Sequence, residues 1–320
     1  MKTDLSALEN ALTGITDALI VGHSHPDGDC AGSAAALAAL LRAMGARARV
    51  LFPEPLPLRL CFLCDGVPLL KALPDDFAAS TLICTDVASP QQLGSLREPT
   101  EGKIALRIDH HEVDTPYAAR EFVDPAAAAT GEILFDLCER FGLDRLPETA
   151  KAALFGAISS DTGCFKYANV TPETHIRAAK LLAAGVDGAQ INRLLFDTKE
   201  MSQIAAEGLA QSRLRLLCDG KISAVLIENT DYKDGLAMSD FETAVDIARS
   251  VRGVKIAIVI KGALENGVYR ISLRGNGNTP VSGIAAAFGG GGHTLAAGCT
   301  IRASSGEEAL RMLLCEVEKT

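Results

Sequence analysis

Five of the chain's six histidines fall in three short polar clusters, and aspartates stand beside two of them. The first cluster, G-H-S-H-P-D-G-D-C-A-G-S at 22–33, sets His23, Asp27 and Asp29 on a Pro/Gly-bearing segment between an apolar strand and a helix. Such a segment can turn one imidazole and two carboxylates towards a common point, beside a helix N-terminus that offers N–H groups to an anion. Helix capping by Asp and Ser is the plainer use of the same residues. Asp86 closes the apolar run TLICTD, and Asp109-His110-His111 closes IALRIDHH. A lone strand-end aspartate often serves only a turn, but two histidines directly after one have no ready structural explanation. In S-S-D-T-G-C-F at 159–165, Asp161 stands just past an expected helix, where capping is again the ordinary role. Together these residues form an oxygen-rich donor set with imidazoles and no obligatory thiolate. That set suits manganese, and also magnesium, cobalt or iron, better than a structural zinc. It suffices for two ions, and a bridging carboxylate would hold them at the short separation of two-metal phosphoryl chemistry.

A second feature is G-G-G-G-H-T-L-A-A-G at 289–298. Glycines let backbone N–H groups approach an anion closely, and His293 adds a donor. A flexible turn before a strand would use the same residues. Arg274, at the end of an apolar strand, reads equally well as an anion contact or a surface arginine.

The elements that must position these residues follow from periodicity and punctuation. Strands are expected at 18–21, 49–52, 81–84 and 104–108, with helices at 32–44, 131–141, 148–158 and 173–184. Alternation of short apolar strands with helices predicts an α/β fold with a parallel sheet. A mixed-charge helix is expected over 200–217, as a connector. The pattern then restarts with strands at 222–227, 255–260 and 269–274, a helix at 241–250, and a last helix from Gly306. The expected organisation is a metal-binding catalytic domain at 1–195, a helical connector at 196–217 and a smaller mixed α/β domain at 218–320.

On these motifs the chain resembles the DHH phosphoesterase superfamily. His23-x3-Asp27-x-Asp29, Asp86, Asp109-His110-His111 and Asp161-Thr162-Gly163 follow that family's order of four motifs, and 289–298 resembles the signature of its associated C-terminal domain. The pair of domains is similar to the NrnA-type branch of oligoribonucleases and 3′-phosphoadenosine-5′-phosphate phosphatases. The resemblance implies that His23 and Asp27 bind one ion, that Asp29, His110 and Asp161 bind the other, and that Asp86 bridges them. It implies Asp109 as the partner fixing a histidine's tautomer, and His111 as donor or proton source at the substrate phosphate. Arg274, Gly290, Gly291, Gly292 and His293 would hold the terminal phosphate and nucleotide. Lys166 stands where an Arg is common, and is the weaker bidentate clamp; His25 replaces an Asn. Expected substrates are short RNA fragments cut to nucleoside 5′-monophosphates, and 3′-phosphoadenosine-5′-phosphate. The alternatives are linear or cyclic dinucleotides (pApA, c-di-AMP), pyrophosphate as the weakest, or a catalytically silent nucleotide sensor.

Composition narrows the partners. A net charge of −9 and the absence of Trp argue against holding long duplex or extended single strands. Nine cysteines, an odd number, suit free thiols in a reducing compartment, and Cys61/Cys64 form a lone C-x-x-C read as core. The apolar stretch at 32–44 is too short to span a bilayer, and MKTDLSALEN lacks the order of a signal peptide. A cytoplasmic protein without membrane contact is expected, and a homodimer is among the assemblies left open.

Overall fold

The computed structural model describes residues 4–111, 115–232, 235–263, 265 and 267–319. The chain divides into two units, Met1–Thr198 and Lys199–Thr320.

In the first unit, strands β1 (Asp17–Val21), β2 (Arg47–Leu51), β3 (Leu69–Leu70), β4 (Thr81–Thr85), β5 (Ile104–Asp109) and β6 (Arg120–Val123) form a sheet ordered β3-β2-β1-β4-β5-β6. Every pairing is parallel. The runs LIV of β1 and LICT of β4 are fully buried, as strands covered on both faces must be. Alternation sends Ala18 and Ile20 into one core and Leu19 and Val21 into another on the opposite face. The strand order reverses between β1 and β4. In open parallel sheets the carboxyl ends of strands at such a reversal frame a crevice where ligands bind.

The helix expected from Gly32 begins earlier, at Gly28, and runs to Ala43. Asp27 caps it, its carboxylate accepting the Cys30 N–H at 3.0 Å, so Asp29 lies in the first turn rather than in a loop. This helix packs against the helix Glu148–Asp161 with almost no side-chain spacing. A Cβ on Gly32 would lie 2.4 Å from the Ala153 carbonyl oxygen. Asp161 closes that second helix instead of following it. A third helix, Thr130–Phe141, completes the group around the carboxyl ends of the strands.

The second unit has a mixed sheet, ordered β11-β12-β10-β9-β8-β7. Its strands are β7 (Arg215–Leu217), β8 (Ile222–Ile227), β9 (Ile256–Gly262), β10 (Val268–Gly275), β11 (Gly291–His293) and β12 (Ala296–Arg302). Only β8 and β9 pair in parallel. Ile258, Ile260, Ile271 and Leu273 pack on one face with the helices Ser282–Ala286 and Gly306–Val317. Val225, Ile227, Ala257 and Val259 meet Ala206, Ala210, Phe241 and Ala244 on the other.

The helix expected over 200–217 spans Met201–Ser212 and belongs to this second unit. Residues 215–217 instead pair with β8, because Cys218, Asp219 and Gly220 all take positive φ and turn the chain back as a hairpin. The expected helix at 241–250 is a 3₁₀ turn, Met238–Phe241, followed by Ala244–Arg249. No helix among the described residues is long and apolar enough to cross a membrane.

Candidate metal centre

The residues singled out in the first unit converge at the carboxyl ends of β1, β4 and β5. His23 follows β1, Asp86 follows β4, Asp109 ends β5 and His110 comes next. Asp27 and Asp29 arrive from the helix Gly28–Ala43, and Asp161 from the end of Glu148–Asp161.

Each imidazole is oriented through one nitrogen. His23 Nδ1 lies 2.7 Å from the Ser24 carbonyl oxygen, to which it donates, leaving Nε2 towards Asp27 Oδ1 at 3.8 Å and Asp86 Oδ2 at 3.6 Å. His110 Nδ1 donates to the Ala127 carbonyl at 3.2 Å, and its Nε2 faces Asp161 Oδ2 at 3.2 Å, Asp86 Oδ1 at 3.7 Å and Asp29 Oδ2 at 3.9 Å. Asp86 thus turns one oxygen to His23 and the other to His110. It sits at φ 57°, a left-handed conformation that Asp tolerates, and accepts the Thr130 hydroxyl at 3.1 Å. Asp29 is wholly buried and accepts three bonds: Ser33 Oγ at 2.8 Å, Thr130 N–H at 2.6 Å and Gly131 N–H at 3.0 Å. A carboxylate has about four lone-pair positions, so one remains for a cation.

Asp109 plays another part. Its Oδ2 receives Arg107 Nε at 3.1 Å and Nη2 at 2.7 Å; its Oδ1 receives the His111 N–H at 2.9 Å and faces His111 Nδ1 at 2.8 Å. Arg107, 1 % exposed, also donates to Glu121 at 2.8 Å, its partner in register on β6.

Charge is concentrated here: five aspartates against the guanidinium of Arg107. Burial lifts the Asp29 carboxyl well above its usual range, and the charges of Asp86 and Asp161 add to the lift. Burial likewise raises Asp161 to about 6. Burial alone would lower His110, but Asp161, Asp86 and Asp29 overcome it and push the imidazole up to about 11. Asp109, despite burial, is held down at about 2 by His111 and Arg107. In the bare protein, protons therefore occupy positions where a cation would serve better. Three groups bring ligand atoms within 4.8 Å of one another: Asp86/Asp109/His110/His111, His23/Cys30/Asp86 and Asp29/His110/Asp161. The donor set fits divalent metal ions.

Other expected residues stand apart. The exposed His25 pairs with Glu54. Lys166 is exposed, its ammonium 6.0 Å from the Phe196 ring centroid, and it makes no ion pair with the cluster among the described residues. In the second unit Arg274 is half-buried on β10 and donates to the Leu273 carbonyl at 3.0 Å. The glycine-rich segment is in part a strand, with Gly291–His293 paired to Ala296–Gly298. A Cβ on Gly290 would lie 2.2 Å from the Gly298 oxygen, and one on Gly292 2.4 Å from the Ala296 oxygen, so these two glycines are needed for the hairpin itself. The His293 side chain lies outside the described residues.

Sequence reading missed Arg107, Thr130 and Cys30. An arginine inside an apolar strand, two residues before Asp109 and so on the same face, was the available signal for the first. Thr130 carried none. Cys30 Sγ accepts the His23 N–H at 3.2 Å, and in the bare protein burial pushes its thiol up to about 12.

Comparison with known proteins agrees with this geometry. Residues 17–158 match the model of the DHH family, N-terminal domain, and 220–319 match the DHHA1 domain. A Thermus thermophilus relative, "Bifunctional oligoribonuclease and PAP phosphatase NrnA", is 31 % identical over 300 residues, covering 92 % of this chain and 87 % of the relative. The chain belongs to the DHH family. A Bacillus subtilis relative of the same name is 26 % identical over 91 % of this chain and 90 % of its own. Among solved structures, an exopolyphosphatase-related protein from Bacteroides fragilis superposes with a TM-score of 0.89 at 22 % identity, over 98 % of this chain and 95 % of that one. This last likeness is one of fold. Membership of the DHH family supports a phosphoesterase.

Proposed function

We propose that the protein is a two-metal phosphoesterase that hydrolyses short oligoribonucleotides to nucleoside 5′-monophosphates, and 3′-phosphoadenosine-5′-phosphate as a second substrate. The observation that carries this reading is the placement of Asp86, one oxygen towards His23 and the other towards His110. His23 and Asp27 would hold one ion, Asp29, His110 and Asp161 the other, and Asp86 would bridge. Manganese is the ion the mixed carboxylate and imidazole set favours. When bound, such ions lower the pKa of a water and neutralise charge developing on phosphoryl oxygens.

The protein's own residues supply the rest. Asp109, anchored by Arg107, accepts a hydrogen bond from His111 Nδ1–H and leaves Nε2 for the substrate. Burial opposes protonation of His111, but Asp109 and Asp86 raise its pKa, which suits a donor to a phosphoryl or leaving oxygen. The curated names of the Thermus and Bacillus relatives support the substrate class. The −9 charge supports small substrates over long duplexes, and nine free cysteines support a cytoplasmic setting. In the second unit, Arg274 and the 289–293 segment would bind the nucleotide. The test is a side-by-side product assay with manganese on a dinucleotide, a five-nucleotide RNA, 3′-phosphoadenosine-5′-phosphate and a cyclic dinucleotide. Fastest turnover of the dinucleotide is expected; failure to cleave both it and 3′-phosphoadenosine-5′-phosphate would refute the reading.

A further inference from the structure

The second unit carries cations in an arrangement its fold does not call for. Lys261 on β9 and Arg270 on β10 are direct register partners, so two like charges stand opposite each other on one face of the sheet. Like charges in that position destabilise a strand pair. Arg274 lies four residues along β10 on the same face. Neither Lys261 nor Arg270 forms a side-chain hydrogen bond or ion pair among the described residues. Burial, and then the charges of Arg270 and Arg274, hold the Lys261 ammonium below its ordinary value, against the pull of Glu242.

The surroundings are those of an anion platform. On this face the helix Ala244–Arg249 packs beside β9 and β10, and the apolar core beneath the helices takes Ala257 and Val259 from β9. Towards and beyond Lys261 the same face carries Arg270 and Thr300, both exposed, and Ser272 and Gly298, both half-buried. Nearby, the buried Tyr232 hydroxyl has no hydrogen-bond partner among the described residues, and the Arg270 charge reaches it. A buried donor without an acceptor is costly unless something supplies the acceptor. Two cations and a hydroxyl without hydrogen-bond or ion-pair partners among the described residues, in a protein of net charge −9, are matched by one kind of ligand group.

We propose that Lys261 and Arg270, with the Tyr232 hydroxyl, bind a phosphate group of a nucleotide on this open face of the second unit. The phosphate is one other than the scissile group, so the preferred substrates would be nucleotides carrying a further phosphate. That consequence rests on the proposed function, whereas the anion site itself does not.

The experiment is calorimetric titration of adenosine 5′-monophosphate and of adenosine into the full chain with a chelator present, which keeps metals from binding the phosphate. Wild type, Lys261→Met and Arg270→Met are compared, since Met keeps most of the apolar stem. The monophosphate should bind wild type at least tenfold more tightly than adenosine does, and each variant should lose about ten- to hundredfold of its affinity for it. Without ligand each variant should melt at the same temperature as wild type or higher, because a like-charge pair has been relieved. Unchanged monophosphate affinity in both variants would overturn the proposal. So would a wild type that does not distinguish the two ligands, or variants that melt lower and bind as before. Because no turnover is read, an inactive wild type in the product assay would count against the phosphoesterase reading alone.

Discussion

Replacing Asp86 separates the backbone role of that residue from its charge. Asp86→Asn keeps the shape, the tolerance for φ 57° and an oxygen for the Thr130 hydroxyl, but removes the carboxylate proposed to bridge the ions. Asp86→Ala removes all of these. Left-handed backbone costs an ordinary L-residue about 1–2 kcal/mol. A buried hydroxyl left without its acceptor costs about 1–3 kcal/mol. With chelator present, Ala should therefore be roughly 2–5 kcal/mol less stable than Asn in denaturant unfolding. Metal acts separately. At a hundredfold excess over Kd, an ion stabilises wild type by about 2.7 kcal/mol, or roughly 5–11 °C for a unit of this size. If loss of the bridge weakens binding about a hundredfold, that shift shrinks to about 0.4 kcal/mol, roughly 1–2 °C. Turnover of a chromogenic phosphodiester should fall by on the order of a thousandfold or more in both variants, since several kcal/mol of charge stabilisation at phosphorus depend on the ions. Thermal scans with and without manganese, metal counting by mass spectrometry and the chromogenic assay measure all of this. An Asp86→Asn protein within tenfold of wild-type turnover and holding both ions would refute the bridge. Equal stability of Ala and Asn in chelator would refute the backbone argument.

Activity should vanish on exhaustive chelation and return with manganese; turnover by rigorously metal-free protein would refute the two-metal reading. Metal binding should release protons, because the His110 imidazole, raised to about 11, carries one at neutral pH in the bare protein. Titration heats in two buffers of different ionisation enthalpy check this, and identical heats would contradict it. The same shift predicts that stabilisation of the metal-free protein by protonated His110 is fully present below about pH 6.5 and is lost as pH rises through about 11. Arg107→Met should cost about 3–5 kcal/mol in urea unfolding by stranding the buried Asp109 carboxylate, with Arg107→Lys recovering part of it; an unchanged midpoint would sink the anchoring role. Arg274→Ala should raise the dinucleotide KM about ten- to hundredfold at constant metal content, and no change in KM would withdraw Arg274 from the substrate site.

Much of the fold could be read because parallel strands covered on both faces are continuous apolar runs with few alternatives. Ile222–Ile227 and the helix start at Gly306 fell where periodicity set them. What escaped was decided by pairing rather than by local pattern. The strands Leu69–Leu70 and Arg120–Val123 are too short to carry a period, and Gly291–His293 has no apolar side chain at all. The start of the helix Gly28–Ala43 was misplaced because Asp27 and Asp29 were both set on a loop ahead of it. An aspartate can cap a helix and still face a polar centre: Asp27 Oδ1 accepts the Cys30 N–H and lies 3.8 Å from His23 Nε2.

The same distinction explains which parts of the centre were legible. His23, Asp86, His110 and Asp161 stand out because a titratable group at the end of an apolar segment is chemically out of place. Arg107 is equally out of place, in the middle of IALRIDHH, yet its meaning depends on Glu121 and Asp109 meeting it in one plane of the sheet. Residue spacing could suggest the Asp109 half of that meeting, since i and i+2 share a face. The Glu121 half exists only once β5 and β6 are paired in register. Lys261 and Arg270 make the case in its strongest form. They are nine residues apart in the chain, unremarkable in composition, and become a like-charge pair only when β9 and β10 close on each other. Charges whose cost appears only after pairing cannot be placed by spacing. Tolerating that cost where no ion pair among the described residues offsets it is what points to a ligand.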